Sequence, residues 1–212
     1  MRRYIYFVFL LCCAVNLLLT SCVRQKYVVM DMVHHNPGEA MTESKFLDPS
    51  FLKKNEYGAK VFFLFEAAQF GIDWKSFDPS LFPDTTEAGR WVAEKAEIIH
   101  KKYDAAKKED LQVYCMLDML VLPSLLVEKH RTELTNEQGK LDISKPYTQL
   151  CIRELMKEMF ETFPQLDGLV IRTGETYLHD APYYVGNHPV QNGMYDHITL
   201  INLLREEVCE RR

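Results

Sequence analysis

The stretch Asp167-Gly168-Leu169-Val170-Ile171-Arg172-Thr173-Gly174-Glu175 decides how the chain is read. An unbroken apolar run between Asp167 and Arg172 is the pattern of a strand covered on both faces, which belongs to parallel sheets. Three earlier, largely apolar runs read as strands as well: Tyr27–Val33, Val61–Phe65 and Leu111–Leu117. Between them the apolar period changes to that of helices. Asp84 and Glu87 have the spacing of a capping pair that opens a helix running to Lys108, with Val92, Ala96, Ile99 and Tyr103 on one face. Ser144 and Pro146 open the next helix, whose stripe is Ile152, Leu155, Met156, Met159, Phe160 and Phe163, and Pro164 stops it. A short helix over Pro49–Asn55 follows the first strand. A last one starts at Asp196 with Ile198, Ile201, Leu204 and Val208 on one side. The order βαβαβαβα predicts an α/β fold of parallel βα repeats.

The chain has 212 residues, 47% hydrophobic and 26% charged, with 9 Gly and 9 Pro, which excludes disorder and collagen-like repeats. Net charge is −5, and the lysines at Lys101, Lys102, Lys107 and Lys108 are interrupted by acids, so no basic stripe for nucleic acid exists. That lysine run is the solvated face of a helix.

Helix-to-strand joins are short, whereas strand-to-helix joins are long: 34–48, 66–84, 118–144 and 173–196. The long loops therefore gather at the carboxyl ends of the strands, where α/β folds bind ligands. They are rich in Tyr, His, Asn, Asp and Trp. A doubly wound nucleotide fold needs a Gly-rich turn after the first strand, and Gly38 stands alone. A (β/α)8 barrel suits long loops after every strand but needs eight strands and about 250 residues. The expectation is a (β/α)4 half of a TIM-type barrel over residues 27–212, truncated from or cut out of a longer enzyme.

The segment from Asp167 to Glu175 resembles the fourth strand of glycoside hydrolases with a (β/α)8 barrel, although Gly174 stands where many of them carry Asn. The resemblance implies that Glu175 is the general acid. Glycosidic cleavage pairs such an acid with a second carboxylate. In these barrels the second carboxylate lies on a later strand, so Glu66 and Asp118, which follow the second and third strands, are the internal substitutes. Arg172 beside Glu175 is a substrate contact or its structural ion-pair partner. His34, His35 and Asn36 could hydrogen-bond sugar hydroxyls, as could His188. Trp74, Tyr183 and Tyr184 could be platforms for sugar rings or core residues, and Trp91 lies in a helix stripe as core. Adjacent histidines point to opposite faces, so His34 and His35 do not share one ion. No metal or other cofactor is expected.

Arg2 and Arg3 precede an uncharged run from Tyr4 to Leu19 that is short for a membrane span, which is a signal-peptide pattern. Leu19-Thr20-Ser21-Cys22 resembles the lipobox of bacterial lipoproteins. It implies a signal peptide over 1–21, acylation (palmitate) at Cys22, a linker over 22–26 and a cell-envelope location anchored to the membrane. The cysteines beyond it, Cys115, Cys151 and Cys209, are odd in number and irregularly spaced, so no disulfide framework is implied.

The expected function is carbohydrate binding or hydrolysis by a barrel fragment that is inactive alone. Non-catalytic glycan or protein binding, and a metal-dependent barrel hydrolase using His34 or His35, are the alternatives. Open sheet edges would let the chain self-associate.

Overall fold

The computed structural model describes residues 29–31, 44–63, 66–173, 176, 178, 180–188 and 192–211. Strands β1 (Met30–Asp31), β2 (Ala59–Phe63), β3 (Gln112–Asp118) and β5 (Gly168–Arg172) form one parallel sheet in the order β1-β2-β3-β5. A second, antiparallel ribbon pairs β4 (Val121–Pro123) with β6 (Tyr184–Gly186). The helices are α1 (Pro49–Lys54), α2 (Glu87–Lys108), α3 (Ser124–Lys129), α4 (Arg131–Leu134), α5 (Pro146–Thr162) and α6 (Met194–Arg211).

The four sheet strands sit beside one another in the order in which the chain makes them. A doubly wound sheet reverses its order at a switch point; this one does not. Helices α1, α2 and α5 share one face. Ser50 and Lys53 on α1 hydrogen-bond Glu109 and Asp110 at the end of α2, and Phe163 at the end of α5 packs against Tyr103 and His100 of α2. Consecutive strands with helices on one side are the arrangement of successive βα units in a barrel wall.

The register sorts the side chains, because residues opposite each other in adjacent strands share a face. Ala59↔Gln112, Val61↔Tyr114 and Phe63↔Met116 join β2 to β3, and Tyr114↔Gly168, Met116↔Val170 and Asp118↔Arg172 join β3 to β5. These residues turn away from the helices. Phe62, Val113, Cys115 and Leu117 turn towards them, with the Phe62 ring 4.7 Å from Tyr103. At the amino end of β5, Asp167 accepts from the backbone N–H of Val113 at 2.6 Å and pairs with Lys107, locking β3, β5 and α2 together.

Several sequence expectations are corrected in detail. Thr86, not Asp84, caps α2, its Oγ1 accepting from Gly89 N at 3.0 Å, while Asp84 reaches Lys75 instead. Helix α5 starts at Pro146 without a side-chain cap, because Lys145, which has no acceptor, holds the cap position, while the Ser144 hydroxyl one residue earlier donates to Asp142. The connection 118–144 is not a bare loop: it holds β4, α3 and α4. Helix α6 buries Leu200, Leu203, Leu204 and Glu207 rather than the face of Ile198 and Ile201. Arg153 of α5 explains the rotation. It pairs with Glu207 at 2.5 Å and Glu206 at 3.1 Å, turning that side of α6 inward. Burial opposes ionisation of Glu207, but Arg153 and Arg211 outweigh it and hold its carboxyl below the usual range.

Candidate functional site

Three of the strand-to-helix connections converge at the carboxyl ends of the sheet strands. The loops after β3 and β5 are joined by the β4–β6 ribbon and by Asn187. The backbone of Asn187 exchanges hydrogen bonds with Leu120 at 3.1 and 3.2 Å. Its side-chain oxygen accepts from Leu141 N at 2.7 Å, and its amide donates to the Leu141 carbonyl at 3.1 Å. One asparagine thus ties both edges of the β3 connection to the β5 connection. Ser124 N donating to Tyr183 O at 2.8 Å adds a third tie.

Between these loops and the connection after β2 lies a cleft of about 310 Å³. Its apolar wall includes Pro83, Leu125 and Tyr183, and its polar wall includes Ser124, Thr86 and Glu128. Tyr183 is half-buried and rests edge-on against Trp91, with ring centroids 5.8 Å apart. Desolvation and then Glu87 push its phenol above the ordinary value. Below the cleft, Asp78 accepts from Lys129 at 2.8 Å and from Ser80 Oγ at 2.6 Å, which pulls its carboxyl down to about 2.

Asp118 and Arg172 end β3 and β5 on the sheet face turned away from the helices. Arg172 Nε stands 3.0 Å from Asp118 Oδ1, and Asp118 is 1% exposed. Tyr114, on the same face, lies across Gly168: a Cβ on that glycine would come within 2.7 Å of the ring. Glu66 goes the other way. Its carboxylate pairs with Lys102 of α2, and its carbonyl accepts from Tyr103 Oη at 2.8 Å, so it serves the helix layer. Glu66 and Asp118 are therefore turned to opposite sides of the sheet.

Of the two readings the sequence left open for Trp74 and Tyr184, ring platform or core, both residues take the core. Trp74 is fully buried, and Tyr184 is buried among Phe70, Phe82 and Trp91, with ring centroids 5.1, 5.6 and 6.0 Å away. A ring enclosed on both faces offers none to a ligand. His188 is exposed, and its carbonyl accepts from Asn187 at 2.8 Å. Glu175, His34, His35, Asn36 and Cys22 lie outside the described residues. Cys115 and Cys151 are buried free thiols, pushed up to about 11 and about 12 chiefly by burial, so neither supplies a thiolate; Cys209 is free and exposed. Among the described residues no group of three His, Cys, Asp or Glu is arranged to hold a metal ion, and no helix is long and apolar enough to cross a membrane.

Sequence reasoning missed Ser124, Leu125 and Glu128 as cleft residues. Their connection carries no aromatic cluster, and only its short helix α3 brings them to Tyr183.

No protein-family model matches the chain, and no curated protein sequence matches it. Among solved structures it is similar to a maltogenic alpha-amylase from Thermotoga neapolitana, at 16% identity and a TM-score of 0.41, over 71% of this chain and 40% of that one. It is also similar to a GH138 enzyme targeting pectin rhamnogalacturonan II, at 14% identity and a TM-score of 0.38, over 70% of this chain and 18% of that one. The chain thus spans less than half the length of either structure.

Proposed function

We propose that the chain is a carbohydrate-binding part of a glycoside-hydrolase-like barrel, carried by a cell-envelope lipoprotein acylated at Cys22. The observation that supports the binding role is the cleft between the β2, β3 and β5 connections. It combines an accessible tyrosine edge with prolines, a leucine, hydroxyls and a carboxylate. Sugars present the same mixture, apolar ring faces bordered by hydroxyls. Pockets of about 300 Å³ or more are of ligand size. The loops are pinned to one another by Asn187, so the site is pre-formed rather than assembled on binding.

Binding is favoured over hydrolysis by this chain alone. Both internal substitutes for the second carboxylate are held by cations, Glu66 by Lys102 and Asp118 by Arg172. A nucleophile or base must reach the scissile bond, and a carboxylate with 1% exposure in an ion pair is poorly placed to do so. If a longer barrel containing this chain cleaves glycosides, Glu175 is its general acid. Glu175→Gln should then slow substrates with poor leaving groups by about 10²–10⁴-fold and leave activated aryl glycosides nearly unaffected.

The test is calorimetric titration of the full chain with a panel of oligosaccharides, repeated with Tyr183→Ala. A saturable sugar interaction weakened at least about tenfold by the substitution supports the reading. Binding of no sugar, or binding indifferent to Tyr183, refutes it.

A further inference from the structure

The cleft wall continues past Glu128. The next residue, Lys129, closes α3, and its ammonium donates to the hydroxyl of Ser80, a cleft residue, and to Asp78 at 2.8 Å. His130 follows, between α3 and α4, with its ring 4.7 Å from that of Tyr147. The Phe77 ring lies 6.3 Å from Tyr147. All three rings keep part of their surface exposed, His130 a third of its side chain at 33%. They come from the connections after β2 and β3 and from the first turn of α5, which is the carboxyl side of the sheet. Trp74, fully buried with its ring 6.0 Å from Phe77, anchors the group to the core. Burial, and then charges that include Glu133 and Asp78, push the Tyr147 phenol above its ordinary value, so the same aspartate borders both the cleft and the rings.

We propose that these rings are a second sugar subsite, and that the ligand of the cleft is an oligosaccharide chain running from Tyr183 past the Asp78–Lys129 pair to His130 and Tyr147. The inference rests on the carbohydrate reading of the cleft and adds the length of its ligand. The rings supply apolar surface for the ring face of a distal sugar. Lys129 and Asp78 neutralise each other, so the passage between the subsites offers hydrogen-bonding groups without net charge, which suits hydroxyls. Glu128 and His130 are two residues apart, which puts their Cα atoms within about 8 Å of each other. A chain of a few sugars makes that step and a single sugar does not. The contacts among Ser80, Lys129 and Asp78 hold the two subsites in place before binding, so sugars added to the ligand gain contacts at little ordering cost.

The experiment is calorimetric titration of the full chain with gluco-, xylo- and galacto-oligosaccharides, each as a series of one to six units. Within a series that binds, affinity is expected to rise by at least about tenfold from the shortest binding member to chains that reach Tyr147, and then to level off. Tyr147→Ala should remove about three- to tenfold of the long-chain affinity and leave the shortest binding member unaffected. Tyr147→Phe keeps the ring and should retain most of the gain. If Tyr147→Ala also weakens the shortest member, His130→Ala decides: a loss confined to long chains supports the subsite, and no loss overturns it. Affinity that does not depend on length, or long-chain affinity indifferent to Tyr147→Ala, overturns the second subsite and leaves the cleft reading standing. Binding of no series refutes the cleft reading and the subsite with it.

Discussion

Arg172 and Asp118 are register partners at the carboxyl ends of β5 and β3, and their side chains meet at 3.0 Å on the sheet face turned away from the helices. Asp118 is almost completely buried, whereas Arg172 keeps about a quarter of its side chain exposed at 24%. The pair therefore sits at the mouth of the sheet with the anion inside and the cation outside.

Removing the cation of such a pair costs more than removing both charges, because the carboxylate keeps its burial and loses the Arg172 part of its compensation. Arg172→Met should lower the unfolding free energy by about 1–3 kcal/mol. Adding Asp118→Asn to it should recover most of the loss. Urea denaturation of the two variants and the parent checks this. A double variant no better than Arg172→Met would show that the pair is not the cause.

Asn187 carries the connection between two loops through four hydrogen bonds of 2.7 to 3.2 Å, two from its backbone and two from its side chain. Asn187→Ala keeps the backbone pair and leaves Leu141 N and O without the side chain. The expected cost is about 1–3 kcal/mol, because the Leu141 groups lose a partner at a site where Leu141 is buried. Limited proteolysis should then cut within 136–142 or 180–188 faster than in the parent, while α2 and α5 stay protected.

Gly89 separates two opposing effects. It lies near the start of α2, where Ala is better than Gly by about 1 kcal/mol on propensity alone. But a Cβ there would stand 2.1 Å from the Pro83 carbonyl oxygen and 3.0 Å from that of Phe82, both backbone atoms. Steric overlap with backbone should win, so Gly89→Ala lowers the melting temperature instead of raising it. The cost expected for such overpacking is about 1–3 kcal/mol.

The later sheet strands and the long helices were legible in sequence because their apolar runs are buried by the sheet and by α2 and α5; of the expected strand Tyr27–Val33 only residues 29–31 are described, and Met30–Asp31 are β1. Gly168–Arg172 was read to the residue. The failures have a common cause: the outcome depended on a partner distant in sequence. Which face of α6 turns inward is set by Arg153, about fifty positions away. Tyr184, left open in sequence between ligand platform and core, is covered by Phe70 and Phe82 of another connection. The Asp118–Arg172 pair could have been anticipated, since each residue ends an apolar run and parallel in-register strands bring such ends together. The cleft could not, because α3 and its Leu125 were hidden in a connection read as loop.

Asp78 gives a pH dependence with a definite sign. Its carboxyl is held at about 2 by Lys129 and Ser80, below the ordinary 3.8. A depressed carboxyl contributes stability that is whole above the unfolded value and is lost as pH falls through the folded one. Stability should therefore decline between about pH 4 and pH 2. Asp78→Asn should flatten that part of the profile, as read from denaturation midpoints across the range.

The measurement that bears most directly on the central claim is a map of backbone amide shifts in the full chain as oligosaccharide is added. The carbohydrate-binding account predicts that saturable changes centre on Ser80–Thr86, Ser124–Glu128 and Tyr183, and that Tyr183→Ala abolishes them. Changes centred on the amino ends of the strands, around Gln112 and Asp167, or no change with any sugar, would contradict it.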